Sequence, residues 1–344
     1  MKAIGYLQSK PINEPESLLD VELPKPTASG TDLLVKVSAI SVNPVDFKIR
    51  QNVAPENGNY KVLGWDAVGE VVEVGENVEH YNVGDKVYYA GDLTRSGSNA
   101  EYQLVDERIV GLKPSTLEDS AAAALPLTTI TAWELLFERL GIEKQSVGST
   151  NKTDEVLLIV GAAGGVGSIL VQLAKTLTGV TVIGTASRDS SSQWVKELGA
   201  DHVINHRESM PEQIRELGFK HVTHVASLTH TDSYLDDYVD ILAPMGKLAL
   251  IDDPASLDIS KLKVKSLSLH WEFMFTRSMF QTKDMDKQRQ LLTEVAQLVD
   301  QGSLKTTLGL NLGAINAKNL RSAHETLESG KAVGKIVLEG FDAE

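Results

Sequence analysis

The sequence predicts an α/β chain, with a β-rich domain in front and a doubly wound, mostly parallel sheet behind it. Three observations carry this. Residues 1–124 hold short alternating apolar stretches broken by Gly, Asn and Asp. Residues 155–251 alternate short apolar runs with segments of helical period. A glycine-rich turn joins the first run of that rhythm to its first helix.

In the front domain, 33–40 (LLVKVSAI) partly alternates. Residues 68–74 (VGEVVEV) alternate apolar with acidic until Gly75, and 87–90 follow the turn signal VGDK at 83–86. Short strands so punctuated predict a small barrel-like domain. Over 127–140, Ile130, Trp133, Leu136, Phe137 and Leu140 recur at helical spacing, and 141–153 form a polar loop. Strands are then expected at 155–160, 180–186, 202–204, 222–226 and 247–251. Helices are expected at 166–177, 191–198, 211–217 and 234–242. Right-handed crossovers between them give the parallel sheet. The last part reads as an aromatic-rich stretch (267–280), a helix (286–301), a strand (307–312), a helix (318–327) and a strand (335–338).

The chain has 344 residues, enough for two domains at about 150 residues each. Its 42% hydrophobic and 23% charged residues are those of an ordinary globular protein. A net charge of −14 argues against a nucleic-acid partner, and no polybasic run offers itself to anionic lipid. Cysteine is absent, so disulfides, a Cys nucleophile and thiolate metal sites are excluded. The first twenty residues show no apolar leader core. Residues 156–174 carry no formal charge, yet their central glycines suit a strand, a turn and a helix better than a membrane span. A cytoplasmic protein without membrane partners is expected.

In the glycine turn, EVLLIV (155–160) leads into GAAGGVG (161–167). Ala162, Gly164 and Gly167 keep the spacing of a dinucleotide fingerprint, with Ala in the first place. That first position makes the tight turn, Gly164 lets the backbone approach a pyrophosphate, and Gly167 lets the helix pack on the strand. Gly165 and Val166, between them, bring their N–H groups to the helix N-terminus that faces the phosphates. About 20 residues on, an NAD site offers an acid to the ribose. Here the strand ends in Ser187-Arg188, a hydroxyl and a guanidinium that suit a 2′-phosphate, which favours NADPH. Asp189 pulls the other way, since Arg188 is alternatively a solvated residue paired with it.

The chain resembles the medium-chain dehydrogenase/reductase superfamily, the zinc-type alcohol dehydrogenase-like proteins, and within it the zinc-free quinone oxidoreductase branch. The segments that carry the resemblance run through the whole chain: ISVNPVD (40–46), LGWDAVGEVVEVG (63–75), VGDKV (83–87), LPLTTITAW (125–133), the glycine turn, LGADHVI (198–204) and GKIVL (334–338). The resemblance implies a GroES-like catalytic domain (1–124), a Rossmann NADP-binding domain (125–274) and a C-terminal return to the catalytic domain (275–344). Zinc members of the superfamily place Cys where this chain has Asn43 and His where it has Trp65. Further cysteines complete their catalytic and structural sites. With these absent, a tetrahedral zinc site is not supported and no metal is expected. The eight histidines do not rebuild one, because His221 and His224, three apart on a strand pattern, point to opposite faces.

Without a Lewis acid, the acceptor has to be activated already: a quinone or a related conjugated carbonyl, reduced by NADPH. By resemblance, Asn43 lies at the nicotinamide end of the site, as a donor to the acceptor oxygen or as a turn cap before Pro44. Asp46 and Asp66 either order a ligand or shuttle a proton, or else bond loop backbone. Trp65 is a stacking wall for a flat substrate or core packing. Thr128 approaches the nicotinamide or its ribose, or caps a helix. Lys335 matches a lysine that approaches the cofactor in relatives, or is a solvated lysine. Trp271, Phe273 and Phe275 line the substrate pocket or a homodimer interface. Two other functions stay open: an enal/enone double-bond reductase taking its proton from Tyr60 or water, and a non-catalytic NADPH-binding redox sensor.

Overall fold

The computed structural model describes residues 1–55 and 58–341. The expected C-terminal return, 275–344, ends on three residues outside that set. The chain divides into two compact units, Met1–Ile130 with Phe275–Glu344, and Thr131–Met274. Residues 125–130 stay with the first unit, although the sequence assigns them to the nucleotide domain. Leu125 and Ile130 are fully buried, and Leu127 N donates to Asp66 Oδ1 of the first unit at 2.7 Å.

In chain order come β1 (Lys2–Tyr6), β2 (Leu19–Glu22), β3 (Asp32–Val42), α1 (Pro44–Asn52), β4 (Lys61–Val62), β5 (Ala67–Val74), β6 (Lys86–Tyr89), β7 (Tyr102–Asp106), β8 (Val110–Leu112), α2 (Asp119–Ala123) and α3 (Pro126–Trp133). The long, Val- and Leu-rich β3 organises the first unit. It pairs antiparallel with β5 from Leu33 to Ile40, and with β7 from Asp32 to Lys36. β1 pairs with β2 and β4 in a separate three-stranded sheet.

The second unit holds β9 (Val156–Val160), α4 (Gly165–Leu177), β10 (Thr181–Thr185), α5 (Asp189–Glu197), β11 (His202–Ile204), α6 (Met210–Glu216), β12 (Val222–Ser227), α7 (Thr231–Ile241), β13 (Leu242–Leu250) and β14 (Ser268–Trp271). Its sheet runs β11-β10-β9-β12-β13-β14, with every pair parallel. The order reverses between β9 and β12, the switch point of a doubly wound sheet. β9 is buried along its whole length, as a central parallel strand covered on both faces requires. Leu158, Val160, Val225 and Leu248 of the sheet pack with Ile214, Leu235 and Tyr238 of the helices.

The helix expected over 127–140 changes character partway. After Trp133 the bonding loosens to a π-helical run over Glu134–Arg139. The helical stretch Asp119–Arg139 has the length and apolar character of a membrane span, and 78% of its most apolar window is buried inside the structure, as for a core helix. Arg139 Nε donates to Glu272 Oε2 at 2.8 Å, and its Nη2 lies 3.9 Å from Glu134 Oε2. Burial, then the negative neighbour Glu134, pushes the Glu272 pKa from 4.5 up to about 9. The folded protein thus holds a proton there that the unfolded chain releases. That contribution is complete below about pH 4.5 and is lost as the pH climbs to about 9. Glu272→Gln is expected to remove this slope. Between pH 6 and 9 the wild type should lose on the order of 2–4 kcal/mol more than the variant, read by urea unfolding.

The chain then supplies α8 (Thr276–Met279), α9 (Lys287–Asp300), β15 (Leu308–Asn311), α10 (Ala317–Glu328) and β16 (Lys335–Glu339) to the first unit. β16 pairs antiparallel with β3, Ile336 opposite Val42, and parallel with β15. This register sets Lys335 beside Asn43.

Candidate functional site

In the first unit the site is built around the start of α1. Asn43 is the N-cap, Pro44 follows, and Asp46 in the first turn accepts the Asn43 backbone N–H at 2.8 Å, half of a capping box. The Asn43 Nδ2 donates to Asp66 Oδ2 at 2.8 Å, and Lys335 Nζ donates to Asn43 Oδ1. Lys335 Nζ also donates to Asp66 Oδ2 at 3.0 Å and to Val42 O at 3.2 Å. An ammonium has three N–H groups, and here three oxygens take them. The second Asp66 oxygen takes the Leu127 N–H at the start of α3.

Four expected site residues, Asn43, Asp46, Asp66 and Lys335, thus meet in one buried cluster. None is more than 4% exposed. Burial pushes the Asp66 carboxyl above its ordinary range, against the pull of the Lys335 ammonium. Burial also pushes Asp46 up to about 7, against the Asn43 N–H bond that favours its charged form.

This geometry revises several expectations. The Asn43 amide, fully buried, already donates to Asp66, so it is a cap and a cluster member rather than a donor left open to an acceptor. The three N–H groups of Lys335 are committed inside the cluster, so it is neither a solvated lysine nor one extended toward a cofactor. Trp65 is 1% exposed, donates from its indole to Asp92 O at 3.2 Å and meets Phe275 edge-to-face at 6.2 Å. It is core packing, with no face left for a flat substrate. Thr128 is buried and bonds Leu125 O at 3.2 Å, a local helix-start contact. Phe275 is buried, whereas Trp271 and Phe273 are 54% and 46% exposed.

The donor set does not suit zinc. By the resemblance, Asn43 and Trp65 stand where zinc members have Cys and His, and the Lys335 ammonium bonds Asp66 Oδ2 at 3.0 Å. Among the described residues, no group of three or more His, Cys, Asp or Glu side chains is placed to hold a metal. His224 is a packing residue, buried and held down to about 4 by that burial.

The second unit does suit a dinucleotide. Gly164 caps α4 with no side-chain partner, and the first turn (Gly165, Val166, Gly167) presents its N–H groups. An added Cβ at Gly164 would meet only Gly161 O, at 3.5 Å, and its φ of −74° is open to any residue. Nothing within the protein asks for glycine there, whereas a close-lying phosphate would. At Gly167 the reverse holds, since a Cβ would come 2.4 Å from Gly161 O and 2.6 Å from Ala162 C. The tight turn itself belongs to Gly161, at φ +87°, and not to Ala162, which is buried beneath Gly184. A glycine directly after the strand was the available signal. At the end of β10, Ser187 is half-buried and Arg188 is exposed as the N-cap of α5.

Known proteins share this arrangement. Residues 29–115 match the alcohol dehydrogenase GroES-like domain, and residues 165–292 match the zinc-binding dehydrogenase family. A zinc-type alcohol dehydrogenase-like protein of Staphylococcus epidermidis is 38% identical over 339 residues, 98% of this chain and 99% of the relative. A crystal structure from Rhizobium etli CFN 42, assigned as a zinc-dependent alcohol dehydrogenase, is 51% identical with a TM-score of 0.95, over 100% of this chain and 99% of that one. The Escherichia coli quinone oxidoreductase complexed with NADPH is 26% identical with a TM-score of 0.82, over 98% of this chain and 100% of that one. By its domains and by full-length identity, the chain belongs to the zinc-type alcohol dehydrogenase-like family of the medium-chain dehydrogenase/reductase superfamily, and is an oxidoreductase of that kind.

Proposed function

We propose that the protein transfers hydride from NADPH to a quinone or a related conjugated carbonyl compound, without a catalytic zinc. The observation that carries this reading is the Lys335–Asn43–Asp66 cluster. A buried ammonium, bound by three oxygens, stands where the family's metal ligands are lost. With no metal to polarise an alcohol or a simple ketone, the chemistry left is that of acceptors already activated by conjugation. The bound cofactor supplies the hydride. The backbone at Gly164, Gly165, Val166 and Gly167 receives its pyrophosphate, and Ser187 and Arg188 receive its 2′-phosphate. The likeness to a quinone oxidoreductase with NADPH supports both halves.

Steady-state NADPH oxidation tests it, with one quinone, one enone and, in the reverse direction, one primary alcohol with NADP⁺. Quinone or enone turnover without alcohol oxidation is the expected result. Alcohol oxidation that depends on added zinc would overturn it. The same reading takes the protein as a cytoplasmic homodimer. Exposed Trp271 and Phe273, at and beyond the end of the edge strand β14, support a dimer, which light scattering checks.

A further inference from the structure

The chain passes between its two units twice, from Ile130 to Thr131 and from Met274 to Phe275. The first passage lies within α3, which runs on after Trp133 into the π-helical run Glu134–Arg139. The second lies in the short stretch 272–275 between β14 and α8. Glu134 opens the π-helical run, and Glu272 opens the short stretch. Both belong to the second unit, and both are buried.

Their carboxyl groups are hydrogen-bonded to each other. An ionised carboxylate only accepts, so one of the two has to carry a proton and donate it. Arg139 answers the charge that remains, donating from Nε to Glu272 Oε2 at 2.8 Å with its Nη2 3.9 Å from Glu134 Oε2. The π-helical run makes this possible. Glu134 and Arg139 are five residues apart, about 140° around an α-helix, whereas i→i+5 bonding brings them toward one side. Leu140 N donates to Leu135 O at 2.9 Å in that pattern. Both partners are also tied to β13. Lys247 Nζ donates to Leu140 O at 2.6 Å, and Glu272 N donates to Leu250 O at 2.9 Å. The other titratable groups about the pair are this Lys247 and His270 of β14. Burial, Lys247 and Arg139 hold His270 below its ordinary pKa.

We propose that Glu134 and Glu272 form a proton-binding site, in which one shared proton latches together the two segments that join the units. When the latch opens, the proton leaves to water and two ionised carboxylates part, which releases both segments at once. Burial and Glu134 push Glu272 up to about 9, so the latch is closed at neutral pH. Below that value, each pH unit downward favours the closed form about tenfold.

Hydrogen–deuterium exchange of the full chain tests this, read by mass spectrometry at pH 6, 7, 8 and 9 and corrected for the intrinsic pH dependence of amide exchange. Residues 131–140 and 268–275 should exchange through one local opening, faster than the buried strand β9 of the same unit. Their protection should fall about tenfold per pH unit, in step. Glu272→Gln puts an amide N–H in place of the proton, and should hold its pH 6 protection throughout. Glu134→Gln supplies the same donor from the other side and should remove most of the pH dependence. The wild-type series needs neither variant. Constant protection, different slopes for the two segments, or exchange no faster than that of β9 would each overturn the latch. An undiminished slope in Glu134→Gln would leave the proton on Glu272 alone and overturn the sharing.

Discussion

Lys335→Met is expected to destabilise the first unit by about 3–5 kcal/mol, the cost of breaking a buried ion pair from one side. The Asp66 carboxylate would keep the Asn43 amide and the Leu127 N–H but lose the Lys335 ammonium, at a fully buried position. Burial already pushes Asp66 up, and removing the ammonium pushes it further. A buried acid with a raised pKa loses stability as the pH rises. The defect should therefore be milder at pH 5, where Asp66 can take a proton, than at pH 8. Asp66→Asn in the Lys335→Met background should recover part of the loss, because the stranded charge is gone. Urea unfolding of the four proteins at both pH values measures this coupling. Additive losses that do not vary with pH would show that the three oxygens do not hold the ammonium as described.

The second large effect separates two glycines three residues apart. Gly164→Ala should fold as the wild type does, since its Cβ meets nothing closer than 3.5 Å. It should nevertheless weaken NADPH about 10- to 100-fold, because the methyl group stands where the pyrophosphate has to come. Gly167→Ala drives its Cβ against the backbone of Gly161 and Ala162, atoms that cannot swing aside as a flexible side chain does. It should cost about 3 kcal/mol or more in stability before any ligand is added. Thermal unfolding and NADPH titration of both variants check the contrast. A Gly164→Ala protein that binds NADPH normally would remove this turn from the cofactor site.

The second unit was largely legible in the sequence, and the reason is local. VLLIV at 156–160 can only be a buried strand, and the glycines after it, with an apolar helix beyond, fix a strand–turn–helix within a dozen or so residues. The strand expected over 202–204 matches β11, and the helix expected over 234–242 starts three residues after α7 does and ends one residue beyond it. What the sequence hid depends on contacts far apart in the chain. Lys335 and Asn43 lie 292 residues apart, and only the β16–β3 register brings them together. Periodicity cannot show that an Asn amide spends its hydrogen bonds inside such a cluster, or that Trp65 turns inward. Nor does spacing reveal the π-helical run at Glu134–Arg139, because one extra residue per turn barely disturbs an apolar stripe. The residues expected to touch substrate were those most altered by this. The glycine turn, a local feature, departs from expectation only in that the tight turn falls to Gly161 and not to Ala162.

Chemistry without zinc can be read from a single sample. The purified protein is weighed by native mass spectrometry for bound zinc, and the same sample is assayed for NADPH-dependent quinone reduction before and after chelation. Far less than one zinc per chain is expected, with a rate unchanged by the chelator. One zinc per chain, with a rate lost on chelation and restored by zinc alone, would contradict it.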